Sequence, residues 1–344
     1  MKTERNGKAM AVRIVAVAAF LLMGGNALAQ QRLMMRVADV YPVGHPVVES
    51  TVKVFMEQLK TKGVPIDFQY YPAEQLGKGK DLLSLTQTGV VDIGLVVPSY
   101  VSDKMPLSAV TELPGLFASS CEGTTAMYRM ARDGALAKQE FGANNMHMLI
   151  MHVFAPFQLI STKPFTSLAQ VEGQKLRSAG SGTELIIRKL KAVPIRITAP
   201  EINESMSRGT LDGGLMGYPT VLSYDLARLT KTATVGVSFG GTVVTYAMAE
   251  SKWRTLTPEM QKALTEAGDA ATRSGCQAAD QAVVGQIEKL KGAGVNMLAL
   301  SADETRRLQT SLQSVGEEWA EQLDKRGKPG TETLKAFRAA VQAH

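Results

Sequence analysis

Histidine and cysteine are scarce, at four and two residues in a chain of 344. The histidines are His45, His147, His152 and the final His344, and no spacing among them resembles a zinc site. His147 and His152 are five apart in an apolar run, so in a strand they face opposite sides. Neither cysteine, Cys121 or Cys276, has a histidine neighbour or papain-like surroundings. The segment GVSFG at Gly236–Gly240 fits a nucleophile pattern, but a hydrolase of that kind needs a histidine after the serine. Only His344 follows it. GKGK at Gly77–Lys80 lacks the spacing and the Ser/Thr of a phosphate loop, and no dinucleotide fingerprint occurs. The sequence therefore predicts no catalytic residue, no metal and no cofactor.

Lys/Arg runs and basic patches interleaved with aromatics are also missing, which argues against nucleic acid as a partner. Half of the formal net charge of +6 comes from residues 1–29, which hold four Lys/Arg and one Glu. That stretch has a basic start, an apolar core at Ile14–Gly25 and a small-residue site at Ala27–Ala29, the pattern of a secretory signal peptide. The core is too short to span a bilayer, and no later stretch is apolar enough to do so. The expected mature chain starts at Gln30, is exported to the periplasm, and carries no lipid-anchoring cysteine. In that oxidising compartment Cys121 and Cys276 either pair or stay as buried thiols, and their spacing alone leaves both open.

The rest of the chain reads as an α/β protein of two lobes. Strands at Leu33–Val40, Ile66–Pro72 and Val90–Val97 alternate with helices, the βαβαβ unit of a mostly parallel sheet. The unit recurs with strands at Lys175–Ser178, Val193–Thr198 and Thr210–Gly217. Ser181 with Glu184, and Thr198 with Glu201, have the spacing of capping boxes. Both third strands read Gly-x-x-Asp-x-Gly-Leu, with Asp92 and Asp212 in matching places and a structural role expected for each. Thr257 and Pro258 open a long helix with an apolar face, long enough to lie across both lobes. Ser301 with Glu304 starts another helix. The expected division is a signal peptide over 1–29, lobe I over 30–153 plus about 245–285, lobe II over 154–244 plus about 286–320, and a C-terminal helical extension over 321–344.

Three stretches, in order, carry a resemblance: YPAEQLGKGKDLLSLTQTGVVDIGLVVPSY, VEGQKLRSAGSGTELIIRKLKAVPIRITAPEINESMSRGTLDG, and the long helix after SKWRTLTPEMQKAL. They resemble the dicarboxylate-binding-protein family, the solute-binding proteins of tripartite ATP-independent periplasmic (TRAP) transporters, over nearly the whole mature chain. The resemblance implies a two-lobed periplasmic binding protein, not an enzyme. It would capture a small organic acid and deliver it to a sodium-coupled membrane permease, working as a monomer. It also implies that Arg177, in the GxKxR strand, grips the ligand carboxylate. A guanidinium fork does this through two parallel charge-assisted hydrogen bonds. Two departures from the family pattern stand out. Phe157 takes a place where many members carry a polar residue, and Met216, Gly217 and Tyr218 replace a segment that often holds an asparagine. Both suit a carboxylate with an apolar or aromatic body. In lobe I the expected lining comes from Tyr41, Gly79, Val97 and Tyr100, with His45 either touching ligand or organising its loop. The competing functions are an exported binding protein for an ATP-driven importer or a sensor kinase, and an exported hydrolase.

Overall fold

The computed structural model describes residues 32–343. The signal-peptide stretch, the expected start at Gln30 and His344 lie outside the described residues. Two sheets form the frame. Sheet I contains β1 (Leu33–Ala38), β2 (Ile66–Tyr71), β3 (Ile93–Val96), β4 (Met146–Val153) and β10 (Val243–Ala249), in the order β2-β1-β3-β10-β4. Sheet II contains β5 (Gln158–Ser161), β6 (Lys175–Ser178), β7 (Val193–Arg196), β8 (Gly213–Met216), β9 (Thr232–Val235) and β11 (Asn296–Ala299), in the order β7-β6-β8-β5-β9-β11.

Each sheet is mixed. β2, β1 and β3 are parallel, as are β7, β6 and β8. The next strand in each sheet, β10 or β5, runs antiparallel to its neighbours. The reason is the path of the chain. After β4 it leaves sheet I and enters sheet II as β5, and after β9 it returns to sheet I as β10. Each lobe therefore receives one strand from the segment that crosses over from the other.

The repeated Gly-x-x-Asp-x-Gly-Leu motif does the same work twice. The Asp92 carboxylate accepts the Arg36 backbone N–H at 2.8 Å, and Asp92 N–H donates to the Arg36 carbonyl at 3.0 Å. The Asp212 carboxylate accepts the Lys175 N–H at 2.9 Å, and Asp212 N–H donates to the Lys175 carbonyl at 2.8 Å. Each aspartate thus ties the start of the third strand to the first strand of its unit, satisfying backbone donors that the short ladder leaves over. Both roles are structural, as the sequence suggests.

Helices α1 (Pro46–Ser50), α2 (Val52–Thr61), α3 (Leu82–Gln87) and α4 (Ser120–Arg132) flank sheet I. Helices α5 (Ser181–Lys189), α6 (Ile202–Ser207) and α7 (Tyr218–Ser223) belong to lobe II, and α8 (Glu250–Trp253) leads out of β10. The 35-residue α9 (Pro258–Gly292) starts at Thr257, whose hydroxyl accepts the Met260 N–H. At about 1.5 Å per residue it is about 50 Å long. It packs on α2, β4 and α4 of lobe I and then on α7 and β11 of lobe II. Cys276 on this helix is bonded to Cys121 on α4, with Cα atoms 4.7 Å apart. The tail folds back over both lobes: α10 (Ala302–Leu312) and α11 (Val315–Asp324) pack on α5, and α12 (Gly330–Gln342) packs on α4. Trp319 and Phe337 of this tail are fully buried. No helix of the described residues is long and apolar enough to cross a membrane.

Candidate functional site

Arg177 stands near the carboxyl end of β6, where open α/β sheets hold their ligands. Its Cα pairs with Gly214 of β8. A Cβ at position 214 would lie 2.6 Å from the Arg177 Cβ, so glycine there leaves room for the arginine to cross its neighbour strand. Arg177 Nε donates to the Ile197 carbonyl at 3.2 Å, and Nη1 to the Leu215 carbonyl at 3.4 Å. Two strand ends thereby hold the guanidinium in place. The residue is only 4% exposed. Among the described residues no carboxylate lies within ion-pair distance of it, and its charge acts on the buried Glu112 carboxyl. A guanidinium taken out of water without a counterion is costly, and the arrangement suits an incoming anion.

Aromatic residues of both lobes gather near this charge. Tyr41 stacks on His45 with ring centroids 4.0 Å apart. Phe154, on the crossing segment, meets Tyr41, His45, His152 and Phe157 edge-on. Tyr224, from lobe II, lies beside His45. The charge of Arg177 acts on Tyr41, Tyr100 and Tyr224. Burial raises all three phenols, so each stays neutral and keeps its hydroxyl proton. Burial also lowers His45 to about 3 and His152 to about 4, leaving both imidazoles neutral. Beneath them the buried Asp39 carboxyl is pushed up to about 6 by desolvation. It accepts hydrogen bonds from Tyr41 N–H, Tyr70 and Tyr246.

The lobes are drawn together by direct bonds. Tyr100 hydroxyl accepts the Ala199 N–H at 2.8 Å, Arg196 reaches Ser102 Oγ at 3.0 Å, and Tyr224 hydroxyl donates to the Val40 carbonyl at 3.3 Å. Glu112 of lobe I is fully buried against lobe II. It accepts the Gly182 and Thr183 N–H groups at 3.0 and 3.3 Å, together with the Ser99 hydroxyl. Its carboxyl is raised by burial, and those donors and Arg177 pull in the opposite direction. Gly240, at φ +71°, passes so close that a Cβ there would lie 2.3 Å from the Glu112 carbonyl. The capping box expected from Ser181 and Glu184 does not form. Glu184 instead pairs with Arg196, and Glu112 takes the free N–H groups at this helix start. A carboxylate is at home there because helix N-termini carry partial positive charge.

The other residues singled out from the sequence fall into two groups. Phe157 and Tyr41 are buried and meet Phe154 edge-on, and a Cβ on Gly217 would lie 3.5 Å from Phe154 and 3.8 Å from Phe157. Tyr100 joins them through its bond across the cleft. Met216 is fully buried in the lobe II core with Ile160 and Met206. Val97 is buried in the lobe I core. Tyr218 is held inside lobe II, donating to the Thr234 carbonyl at 2.7 Å. Gly79 packs against Val40 and Tyr100, and its N–H goes to Glu74. Ser238 of the nucleophile-like pattern accepts Gly115 N–H and lies near the Phe117 carbonyl. A cavity of about 490 Å³ is bordered by His152, Phe154, Gly217, Tyr218, Val283 and Ile287. Arg177 is not part of its wall. The sequence reading missed Phe154, Tyr224 and Glu112. APFQLIST drew attention to Phe157 alone, and no local pattern marks a residue whose partners lie about 70 positions away.

Two α/β lobes around a buried, unpaired arginine define a solute-binding protein of the two-lobed class. Residues 37–322 match the family described as bacterial extracellular solute-binding protein, family 7 (DctP), and the chain belongs to that family. The uncharacterized protein YiiZ of Salmonella typhimurium is 30% identical over 185 residues. That match takes in 48% of this chain and 51% of that protein, so the chain spans about half the length of this curated relative. Among solved structures, a TRAP solute-binding protein from Rhodoferax ferrireducens with copurified benzoate has a TM-score of 0.83 at 23% identity, covering 91% of this chain and 98% of that one. A marine metagenome protein specific for aromatic acids, holding 3-hydroxybenzoate, gives 0.84 at 22% identity, with 91% and 99% covered. A Bordetella bronchiseptica protein with bound mandelate gives 0.80 at 18% identity, with 90% and 99% covered. At these identities the likeness extends to the fold.

Proposed function

We propose that this chain is the periplasmic solute-binding subunit of a TRAP transporter and captures a monocarboxylate with an aromatic body. It hands that acid to a sodium-coupled permease and turns over no substrate itself. The observation that carries this reading is the buried guanidinium of Arg177, fixed by two carbonyls and without a carboxylate partner. The ligand carboxylate supplies the missing charge through Nη2 and the remaining N–H groups. Tyr41, Phe154 and Phe157 cover the ring, and rings gain from edge and offset contacts with such walls. Tyr100, Val97, Gly79, Met216, Gly217 and Tyr218 would shape or support the ligand's chamber in this reading. The benzoate, 3-hydroxybenzoate and mandelate found in structures of the same fold support a small aromatic acid here as well.

The test is a thermal-shift and titration series with benzoate, mandelate and their primary amides. An acid at 100 times its Kd stabilises the folded protein by about 2.7 kcal/mol. The acids should raise the melting temperature and bind one per chain, unchanged on recovery, and the amides should do neither. Equal binding of acid and amide would overturn the reading.

A further inference from the structure

His45 does two jobs with its two nitrogens. Nδ1 accepts the Val47 N–H at 3.2 Å and caps α1. A nitrogen that accepts carries no proton, so the neutral ring must hold its proton on Nε2. That tautomer follows from the hydrogen bond. Nε2 is fully buried and has no partner among the described residues. It lies on the ring edge away from Nδ1 and the helix start. The ring around it is bounded by Tyr41, Phe154 and Tyr224. A buried N–H without an acceptor is rare in folded proteins and costly.

Its position relative to Arg177 matters. Pro46 and Val47, next to His45 in the chain, and Phe154, whose ring meets it edge-on, border the cavity of about 490 Å³, and Arg177 does not. His45 thus stands beside the cavity, on a part of the site that Arg177 does not line. We infer that His45 is a specificity-determining residue whose Nε2–H donates to a hydrogen-bond acceptor on the ligand end remote from the carboxylate. The preferred ligands are then aromatic acids bearing a ring hydroxyl or carbonyl, above unsubstituted ones. The inference rests on the carboxylate reading of the site and adds a second polar contact to it.

The probes are benzoate, 3-hydroxybenzoate and 4-hydroxybenzoate, titrated into the full mature chain. Wild type should bind the better hydroxy acid about tenfold more tightly than benzoate, the worth of one well-made buried hydrogen bond. His45→Asn keeps a helix-capping oxygen but is too short to reach the Nε2 position. His45→Phe keeps the ring stacked on Tyr41 and loses both nitrogens. In both variants the preference should fall to about twofold or less, whatever the change in benzoate affinity itself. A merely structural His45 would instead shift all three acids together. A preference that survives in both variants, or one absent from wild type, overturns the inference and leaves the carboxylate reading standing. Failure of all three acids to bind wild type overturns both.

Discussion

Strands β1 and β6 occupy the same place in two copies of one unit, and they end differently. Ala38 pairs with Gly94 in lobe I, and Arg177 pairs with Gly214 in lobe II. The aspartates that brace the two units, Asp92 and Asp212, make the same pair of bonds. At equivalent positions one lobe thus presents a methyl group and the other a guanidinium. Position 39 follows with a carboxyl that three donors hold in the floor of lobe I. The scaffold is shared, while the charge is added to one side of the cleft. Tyr41, Tyr100 and the neutral imidazoles of His45 and His152 stand on the other. That division gives an amphiphilic acid one orientation between the lobes.

The sharpest way to break the comparison is to make the two strand ends alike. Arg177→Ala should leave the fold intact, since β6 needs no arginine to pair. It should weaken carboxylate binding by about 30- to 5,000-fold, or roughly 2–5 kcal/mol. Arg177→Lys keeps the charge without the planar fork and should recover only part of this. Titrating an acid and its amide against wild type and Arg177→Ala completes a double-mutant cycle, and a coupling energy near zero would remove Arg177 from the site.

Glu112 tests whether lobe I also sends a charge across. Glu112→Ala leaves the Gly182 and Thr183 N–H groups and the Ser99 hydroxyl without their acceptor in a dry interface. The expected loss of stability is about 2–3 kcal/mol, read as a lower urea midpoint at unchanged slope. Glu112→Gln should lose less, because one amide oxygen remains. An unchanged midpoint in Glu112→Ala would mean that water serves this helix start as well as the carboxylate does.

The paired βαβαβ units were legible because they depend on local signals: alternating apolar strands, helix-stopping glycines and capping boxes. Thr198–Glu201 and Ser301–Glu304 form as their spacing predicts. The Ser181–Glu184 box fails for a tertiary reason, since Glu112 arrives from the other lobe and Glu184 is drawn to Arg196. The long helix was legible from its cap and apolar face. The Cys121–Cys276 bond was not, because it depends on how α4 meets α9. In the candidate site, the arginine showed through its motif and strand-tip position. Phe154, Tyr224 and the orphan nitrogen of His45 did not, because each acquires its neighbours only when distant segments meet.

The imidazoles of the aromatic side separate from the charged side by pH. His152 falls from 6.5 to about 4 on folding because it is buried. A lowered histidine pKa means that the unfolded chain takes up the proton first. Its contribution to stability is therefore complete above 6.5 and is lost as pH falls toward 4. Asp39 and Glu140, raised to about 6 and about 7 by burial, act in the opposite sense over part of this range. The net slope of wild type is thus a poor readout, and the difference from His152→Phe is a clean one. From pH 7 to pH 5 the variant should gain about 2 kcal/mol relative to wild type. Urea midpoints at both pH values measure this, and a constant gap would show that His152 takes up its proton as readily folded as unfolded.

The smallest effect separates bonds that close the cleft from bonds inside a lobe. Tyr100 hydroxyl accepts the Ala199 N–H across the lobes, while Tyr218 hydroxyl donates to Thr234 within lobe II. The Tyr100 bond exists only while the lobes are together, so its free energy belongs to closure and hence to ligand affinity. Tyr100→Phe removes the acceptor and should weaken binding about fivefold, equivalent to about 1 kcal/mol, with little change in the stability of the ligand-free protein. Tyr218→Phe removes a bond present whether the cleft is open or closed. It should lower stability by about the same amount and leave affinity nearly unchanged. Titration and urea denaturation of both variants give the four numbers needed. If both variants lose affinity equally, or neither does, the Tyr100 bond is not one that ligand binding makes.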